Sequence, residues 1–330
     1  YEIYQCDWSS DVCSSDLLAL GALPTVSWAQ TPSWPQRPVR VIVPFAAGSF
    51  TETAARAIGQ ELSNTLGQPF VIDTKGGAGS TLGTDLVAKS APDGYTLLVT
   101  DNSYAVSSAL YAKLPYDPEK DIIKISPVAE APAVIMVHKD APYRTLAELV
   151  DAARKAPNKL TYGSGGQGSS AHLALELFCS DAQIELTHIP YKGVAAALLD
   201  LIAGRIDVGL SSAGSAAQHI KQGRLRGLAV AGQTRHPLIP EVPTFSEAGF
   251  SQYNMNYWFG LMGPAGLPAA TVDRLQQAVF KAVAQPKVIE LFASTGARAV
   301  ASSSAEFTQR VDQESKVWKR VITKAGIKIE

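Results

Sequence analysis

The sequence predicts an α/β protein of two lobes, with parallel-rich sheets flanked by helices and a ligand cleft between the lobes. Three observations predict it. Short apolar runs alternate with amphipathic stretches. The alternation comes in two series, followed by a helical tail. Glycine and serine cluster where the apolar runs end, which is where ligands sit in open α/β sheets. The chain of 330 residues is long enough for about two domains.

In the first series, residues 39–45 read as a strand, 51–66 as a helix and 70–73 as a strand. A helix over 82–89, a strand over 96–100 and a short helix over 104–111 follow. A strand over 133–138 and a helix over 146–155 close the series. This βαβα order argues for parallel strands covered by helices. The second series has strands over 160–162, 185–190, 206–210 and 225–231. Helices over 170–178, 194–203 and 213–221 lie between them, the last two stopped by Gly204 and Gly223. Pro237, Pro240 and Pro243 break the chain, and a strand over 257–262 follows. The tail reads as helices over 269–284, 286–294 and 304–325. The expected division is 36–138 plus 257–330 for one lobe and 139–256 for the other.

Composition is that of a globular chain, 46% hydrophobic and 18% charged, with net charge -1. Neither a basic cluster nor a nucleic-acid-binding signature is present. Asp7–Leu17 resembles the translation of a short-read sequencing adapter, so residues 1–17 are set aside as an assembly scar. Residues 18–29 read as the remnant of a secretory signal, with an apolar Leu18–Val26 and the small-x-small cleavage pattern Ser27-Trp28-Ala29. Removing residues 1–29 takes away Glu2, Asp7, Asp11 and Asp16 and no basic residue, leaving 29 basic against 26 acidic, or +3. Cys179 is then the one cysteine, in a helical pattern that suits a buried filler.

The stretch V-P-F-A-A-G-S-F-T-E, Val43 to Glu52, ends a strand and opens a helix. Ser49 and Glu52 have capping-box spacing, which assigns Glu52 to the helix start rather than to acid catalysis. Free amides at such a start suit an anion, and Gly48 permits close backbone approach. Similar turns are Thr100-Asp101-Asn102-Ser103, Gly163 to Ser170, and Lys75-Gly76-Gly77-Ala78-Gly79-Ser80. Gly163–Gly168 is a literal GxGxxG, but the next strand closes on Pro190-Tyr191-Lys192 instead of an acid, against dinucleotide binding. Neither a phosphate-loop motif nor a G-x-S-x-G elbow occurs. The five histidines (His138, His172, His188, His219, His236) form no metal-binding spacing. No cofactor is expected. Trp258 and Phe259 read as core, with a cleft wall as the alternative.

From about Arg37 to Lys328 the chain resembles the periplasmic solute receptors of tripartite tricarboxylate transporters, the Bug family. The matching stretches, in order, are V-I-V-P-F-A-A-G-S, A-P-D-G-Y-T-L-L-V-T, L-P-Y-D-P-E-K-D, H-I-P-Y-K-G, P-E-V-P-T-F-S-E-A-G, W-F-G-L-M-G-P-A-G and K-A-G-I-K. The resemblance implies a periplasmic-binding-protein fold, type II-like, that closes on a small carboxylate as a flytrap does. It also implies export to the periplasm, membrane partners from the transporter, and a monomer without catalysis. By position, the first lobe would contribute Phe45, Ala46, Ala47, Gly48, Ser49, Phe50 and Thr51, with Asn102 and Ser103. The second would contribute Gly163, Ser164, Gly165, Gly166, Gln167, Gly168, Ser169 and Ser170, with His172, Tyr191, Lys192, Gly193 and Ser211.

His172 fits both an anion donor and a helix-end packing residue, and Lys192 both a charge partner and a solvated lysine. The first turn departs from the family's P-P-G-G, and Phe50 is bulkier than the small residue common there, so a narrower pocket or a preference for an apolar or aromatic group is expected. Ser211 and Ser212 stand where some members carry an Asp for a ligand amine. Two other readings stay open. One is a transferase or hydrolase using Ser164 or Cys179 with His172 as base. The other is a ligand sensor for a signalling receptor.

Overall fold

The computed structural model describes residues 34–45, 47–111, 113–191, 193–253 and 255–327. The expectations for residues 1–33, for Ala46 and for Lys192 lie outside the described residues.

In the first lobe, β1 (Val39–Val43) lies between β2 (Phe70–Thr74) and β3 (Thr96–Asp101), parallel to both. The connections are α1 (Phe50–Leu66) and α2 (Thr81–Ala88), and α3 (Ser103–Leu110) follows β3. In the second lobe, β5 (Thr161–Ser164) lies parallel to β6 (Thr187–Pro190) and β7 (Val208–Ser212). Here α5 (Ser170–Ala182), α6 (Val194–Ile202) and α7 (Ala213–Lys221) follow the strands, preceded by α4 (Leu146–Lys155). These parallel, helix-covered strands are the ones the apolar runs predict.

The middle of the molecule is antiparallel. A strand of 17 residues, β4 (Ile122–His138), is shared by both lobes. Residues 122–132 pair with β9 (Asn256–Pro264), which also pairs with β3. Residues 133–138 pair with β7 and with β8 (Leu225–Val230). The sequence predicts only the second half of β4, because Pro127 interrupts the first and Pro132 ends it. The structure accommodates Pro127 beside a register shift, where a missing ladder hydrogen bond costs least. Along β4, Val134 and Met136 join one apolar cluster while Ile135 and Val137 join the other, so alternate side chains bury on opposite faces.

The chain passes between the lobes at two adjacent places. The Ala133 amide donates to Met255 O at 3.1 Å, and the Ala231 amide donates to Ala133 O at 2.8 Å. The tail helices α8 (Ala269–Val283) and α9 (Pro286–Ser294) pack on the first lobe. The two-residue β10 (Arg298–Ala299) joins β4. The last helix, α10 (Ser304–Ala325), spans both lobes, packing on α3, on β4 and on α5. Cys179 is 6% exposed, and burial pushes its thiol far up, as a core filler requires. No helix among the described residues is long and apolar enough to cross a membrane.

Candidate functional site

The turn from β1 to α1 is closed by the chain's own carboxylate. Ser49 caps α1, its Oγ accepting from the Glu52 amide at 3.2 Å. Glu52 then accepts the Gly48 amide at 2.7 Å, one residue earlier than a capping box would have it. Gly48 makes this reach possible with φ +85. That amide bond, with Arg56 on the other oxygen, holds the Glu52 carboxyl below the usual range. Phe50 turns its ring edge-on to Phe259 at 4.6 Å and towards Phe292 at 5.8 Å. Its bulk is thereby taken up by the lobe's own aromatic core. Phe259 and Trp258 are buried, as predicted.

The second turn of this lobe is organised by Asp101, which the sequence reading leaves out of the site. Its carboxylate accepts the Ser103 amide at 2.8 Å and the hydroxyls of Ser103 and Thr51. One acid thus ties the starts of α1 and α3 together. Burial raises its pKa against these three donors. The signal for it was an Asp two residues before a helix's first residue, an Asx-turn pattern. Asn102, expected at the ligand, points its side chain inward. Its Oδ1 accepts the Trp258 amide at 2.8 Å and its Nδ2 donates to Asn256 O and Glu314. At 1% exposure, that side chain serves the fold.

In the second lobe the glycine turn after β5 is built without a carboxylate. Gly163 lets β5 and α6 approach, since a Cβ there would fall 2.5 Å from Ile206 and 2.9 Å from Ala197. Ser164 is fully buried, and its Oγ accepts the Gly166 amide at 3.1 Å and lies 2.6 Å from His188 Nε2. The same hydroxyl donates to Gly166 O at 3.0 Å, so the network closes when neutral His188 carries its proton on Nε2. His172 Nδ1 accepts the Gly168 amide at 3.0 Å, and Ser169 caps α5 by accepting the His172 amide. Gly166 and Gly168 take φ +126 and +75 in this loop. The next turn is zipped to it: the Tyr191 amide donates to Ser164 O and the Gly193 amide to Gly165 O. Tyr191 also donates its hydroxyl to Asp200 at 2.8 Å.

The two imidazoles stack at 3.9 Å and 10°, with the Tyr162 ring against His188 at 4.9 Å. Burial, with His188 alongside, pulls His172 down to about 3, and burial pulls His188 down to about 4. Both are therefore uncharged near neutrality. Glu176, which accepts the Tyr162 hydroxyl at 2.5 Å, is raised by burial. His172 thus lies beneath the loop at 4% exposure, bonded to its backbone, which is the packing alternative. Ser164 meets His188, not His172, and accepts a hydrogen bond from it while donating its own hydrogen to Gly166 O. A buried serine so bonded is not an activated nucleophile. Ser211 is 3% exposed with its hydroxyl on Ser212 O, and Ser212 caps α7. Among the described residues, no group of three metal-ligating side chains occurs.

The described members therefore form two groups. Phe45, Ala47, Gly48, Ser49, Phe50, Thr51 and Ser103 gather at the carboxyl ends of β1 and β3, and the 163–170 loop gathers with Tyr191 and Gly193 beyond β5 and β6. The helices that start in them, α3 and α5, pack on each other. The lobes also touch at Gly214 of α7, where a Cβ would fall 1.7 Å from Thr295 O, and Gly296 lies against Gly214.

Among solved structures, the chain is similar to R. palustris Rpa4515 with adipate, at 32% identity and TM-score 0.79, covering 90% of this chain and 99% of that one. It is similar to MatC from Rhodopseudomonas palustris with bound malate, at 32% identity and TM-score 0.77, covering 87% and 99%. It is 36% identical over 291 residues to a UPF0065 protein in the tcbD-tcbE intergenic region of Pseudomonas sp. strain P51, covering 88% of this chain and 87% of that one. The family model for the tripartite tricarboxylate transporter family receptor matches residues 54–327, so the chain belongs to that family.

Proposed function

We propose that the protein is a periplasmic solute receptor that captures a small organic carboxylate between its lobes and delivers it to the membrane subunits of a tripartite tricarboxylate transporter. The reading moves the lobe border from the expected place after residue 138 to between residues 132 and 133 of β4, where its partners change. It takes the receptor to act as a monomer without catalysis. The observation that carries it is the pair of glycine-serine turns at the carboxyl ends of β1 and β5, each opening a helix whose first amides suit an anion. The amides of Gly48, Gly166, Gly168 and Gly193 are already bonded within the chain. The amides of Ser49, Phe50, Gly165 and Ser170 are the donors assigned to the ligand. The adipate and malate complexes of the similar receptors support the carboxylate class.

Closure then follows from the ligand's stronger hold on the closed form. A thermal-shift panel of di-, tri- and aromatic carboxylates tests the reading. Saturation at 100 Kd stabilises by about 2.7 kcal/mol. A panel without one stabilising acid would refute a carboxylate receptor.

A further inference from the structure

We propose that Gly214 is a positioning residue: its contact with the Thr295–Gly296 turn is the stop that sets how far the lobes close, and so sets ligand affinity from outside the ligand site. The inference rests on the receptor reading and adds to it the residue that governs closure.

The contact lies beside the pivot, on its ligand side. Ser212, at the end of β7, pairs with Ala133 of β4, and Gly214 stands two residues further on. Arg298 of β10 pairs with Glu130 of β4, and Gly296 stands two residues before it. The two glycines therefore meet across the place where β4 changes partners. α7 starts at the carboxyl end of β7, the end where the parallel β5 opens the second ligand turn. α9 carries Phe292 to the Phe50 ring of the first ligand turn. So close to a pivot, a small obstruction becomes a wide gap at the ligand.

Main chain meets main chain here. A Cβ on Gly214 would come to 2.5 Å from the carbonyl carbon of Thr295 and nearer still to its oxygen. A Cβ on Gly296 would run into the backbone of Gly214. Neither neighbour is the tip of a side chain that could swing away. Gly296 has a conformational reason of its own, since it follows α9 at φ +69. Gly214 is the second residue of α7, where the helix gives glycine no advantage over alanine. The atoms that a Cβ there would meet all belong to Thr295 and Gly296, so the other lobe accounts for the glycine.

A second observation marks the same turn. His236, in the segment after β8, donates to the backbone carbonyl of Gly296. Its Nδ1 accepts the Leu238 amide at 3.2 Å, which leaves Nε2 as the donor. The second lobe thus meets Gly296 from two elements, with a main-chain stop and one hydrogen bond across it.

Calorimetric titration of wild type, Gly214→Ala and His236→Ala tests the stop, with adipate, malate and any stabilising acid of the wider panel. Spin labels at Gln60→Cys and Ala203→Cys, exposed positions on α1 and at the end of α6, read the lobe separation. Cys179 is buried and stays unlabelled. Gly214→Ala should weaken every acid by a common factor of about 10 or more, as the closed fraction falls. The label separation should lengthen with and without acid. The Tm without acid should not fall, because the lobes relieve the clash by rotating apart. His236→Ala should weaken every acid by a common factor of about 2 to 10, one neutral hydrogen bond's worth. If Gly214→Ala does not fold, His236→Ala alone decides. Unchanged affinity overturns the stop, as does a fall in Tm at unchanged separation, or weakening of one acid and not another. If no acid binds yet Gly214→Ala still lengthens the separation, the receptor reading falls and the stop stands.

Discussion

The two lobes solve the same problem with partly different chemistry. Each ends parallel strands in turns that open helices, and each must satisfy the free amides there. Both use a serine cap, Ser49 and Ser169, but the first lobe adds its own carboxylates, Glu52 on Gly48 and Asp101 on Ser103. The second uses hydroxyls and imidazole: Ser169 on His172, Ser164 on Gly166 and His172 on Gly168. At the proposed site a carboxylate would therefore meet two acids on one side, Glu52 already paired with Arg56, and no acid within the turn on the other. The difference teaches that a helix start is an anion site only in so far as the chain has not already filled it.

Acidification should break the symmetry most. Free histidine titrates near 6.5, but in the fold His188 and His172 take up protons only near 4 and 3. Below pH 6.5 the unfolded chain binds protons that the fold refuses. Stability is full above that value and falls as pH drops towards 4, by about 1.4 kcal/mol per pH unit for each ring. The facing Glu176 has the opposite sign, because its raised pKa lets the fold keep a proton. Tyr162 and Ser164, the other groups against the rings, stay neutral throughout. In the first lobe, Asp101, raised, and Glu52, lowered, oppose each other. Urea midpoints at pH 7, 6 and 5 should fall steadily, and His172→Asn with His188→Gln should flatten the slope. A flat wild-type profile would contradict the buried neutral pair.

Ser49→Pro comes next in size. It removes a donor and disturbs the α1 start, and should weaken ligand binding by about 100-fold, the loss of one or two charge-assisted hydrogen bonds. Unchanged affinity in the folded variant would move the ligand off the first turn. Asp101→Asn is the smallest change. It keeps an acceptor for the Ser103 amide and removes a negative charge, so anion affinity should rise by about 3- to 10-fold at low salt and less at high salt. Weaker binding would show that Asp101 serves the ligand through its charge.

Much of the fold was legible because periodicity and punctuation are local. The strands at β1, β3, β5 and β7 and the helix starts at Ser49 and Ser303 follow from apolar runs and capping residues. The first half of β4 was not, since Pro127 becomes tolerable only once β9 supplies a ladder with register shifts beside it. The same division holds for the site. The glycine turns announce themselves in a few residues. The inward side chain of Asn102 does not, because its partners Trp258 and Glu314 lie 156 and 212 residues away. His188 stands 24 residues from Ser164, and only packing brings the ring to the hydroxyl.

The shared strand β4 has a mechanical consequence. A ribbon that serves as an inner member of both sheets cannot be stripped from one without fraying the other, and α10 is riveted across the same seam. Damage begun at the imidazoles should thus spread through the entire body, and calorimetry should record one melting peak rather than two.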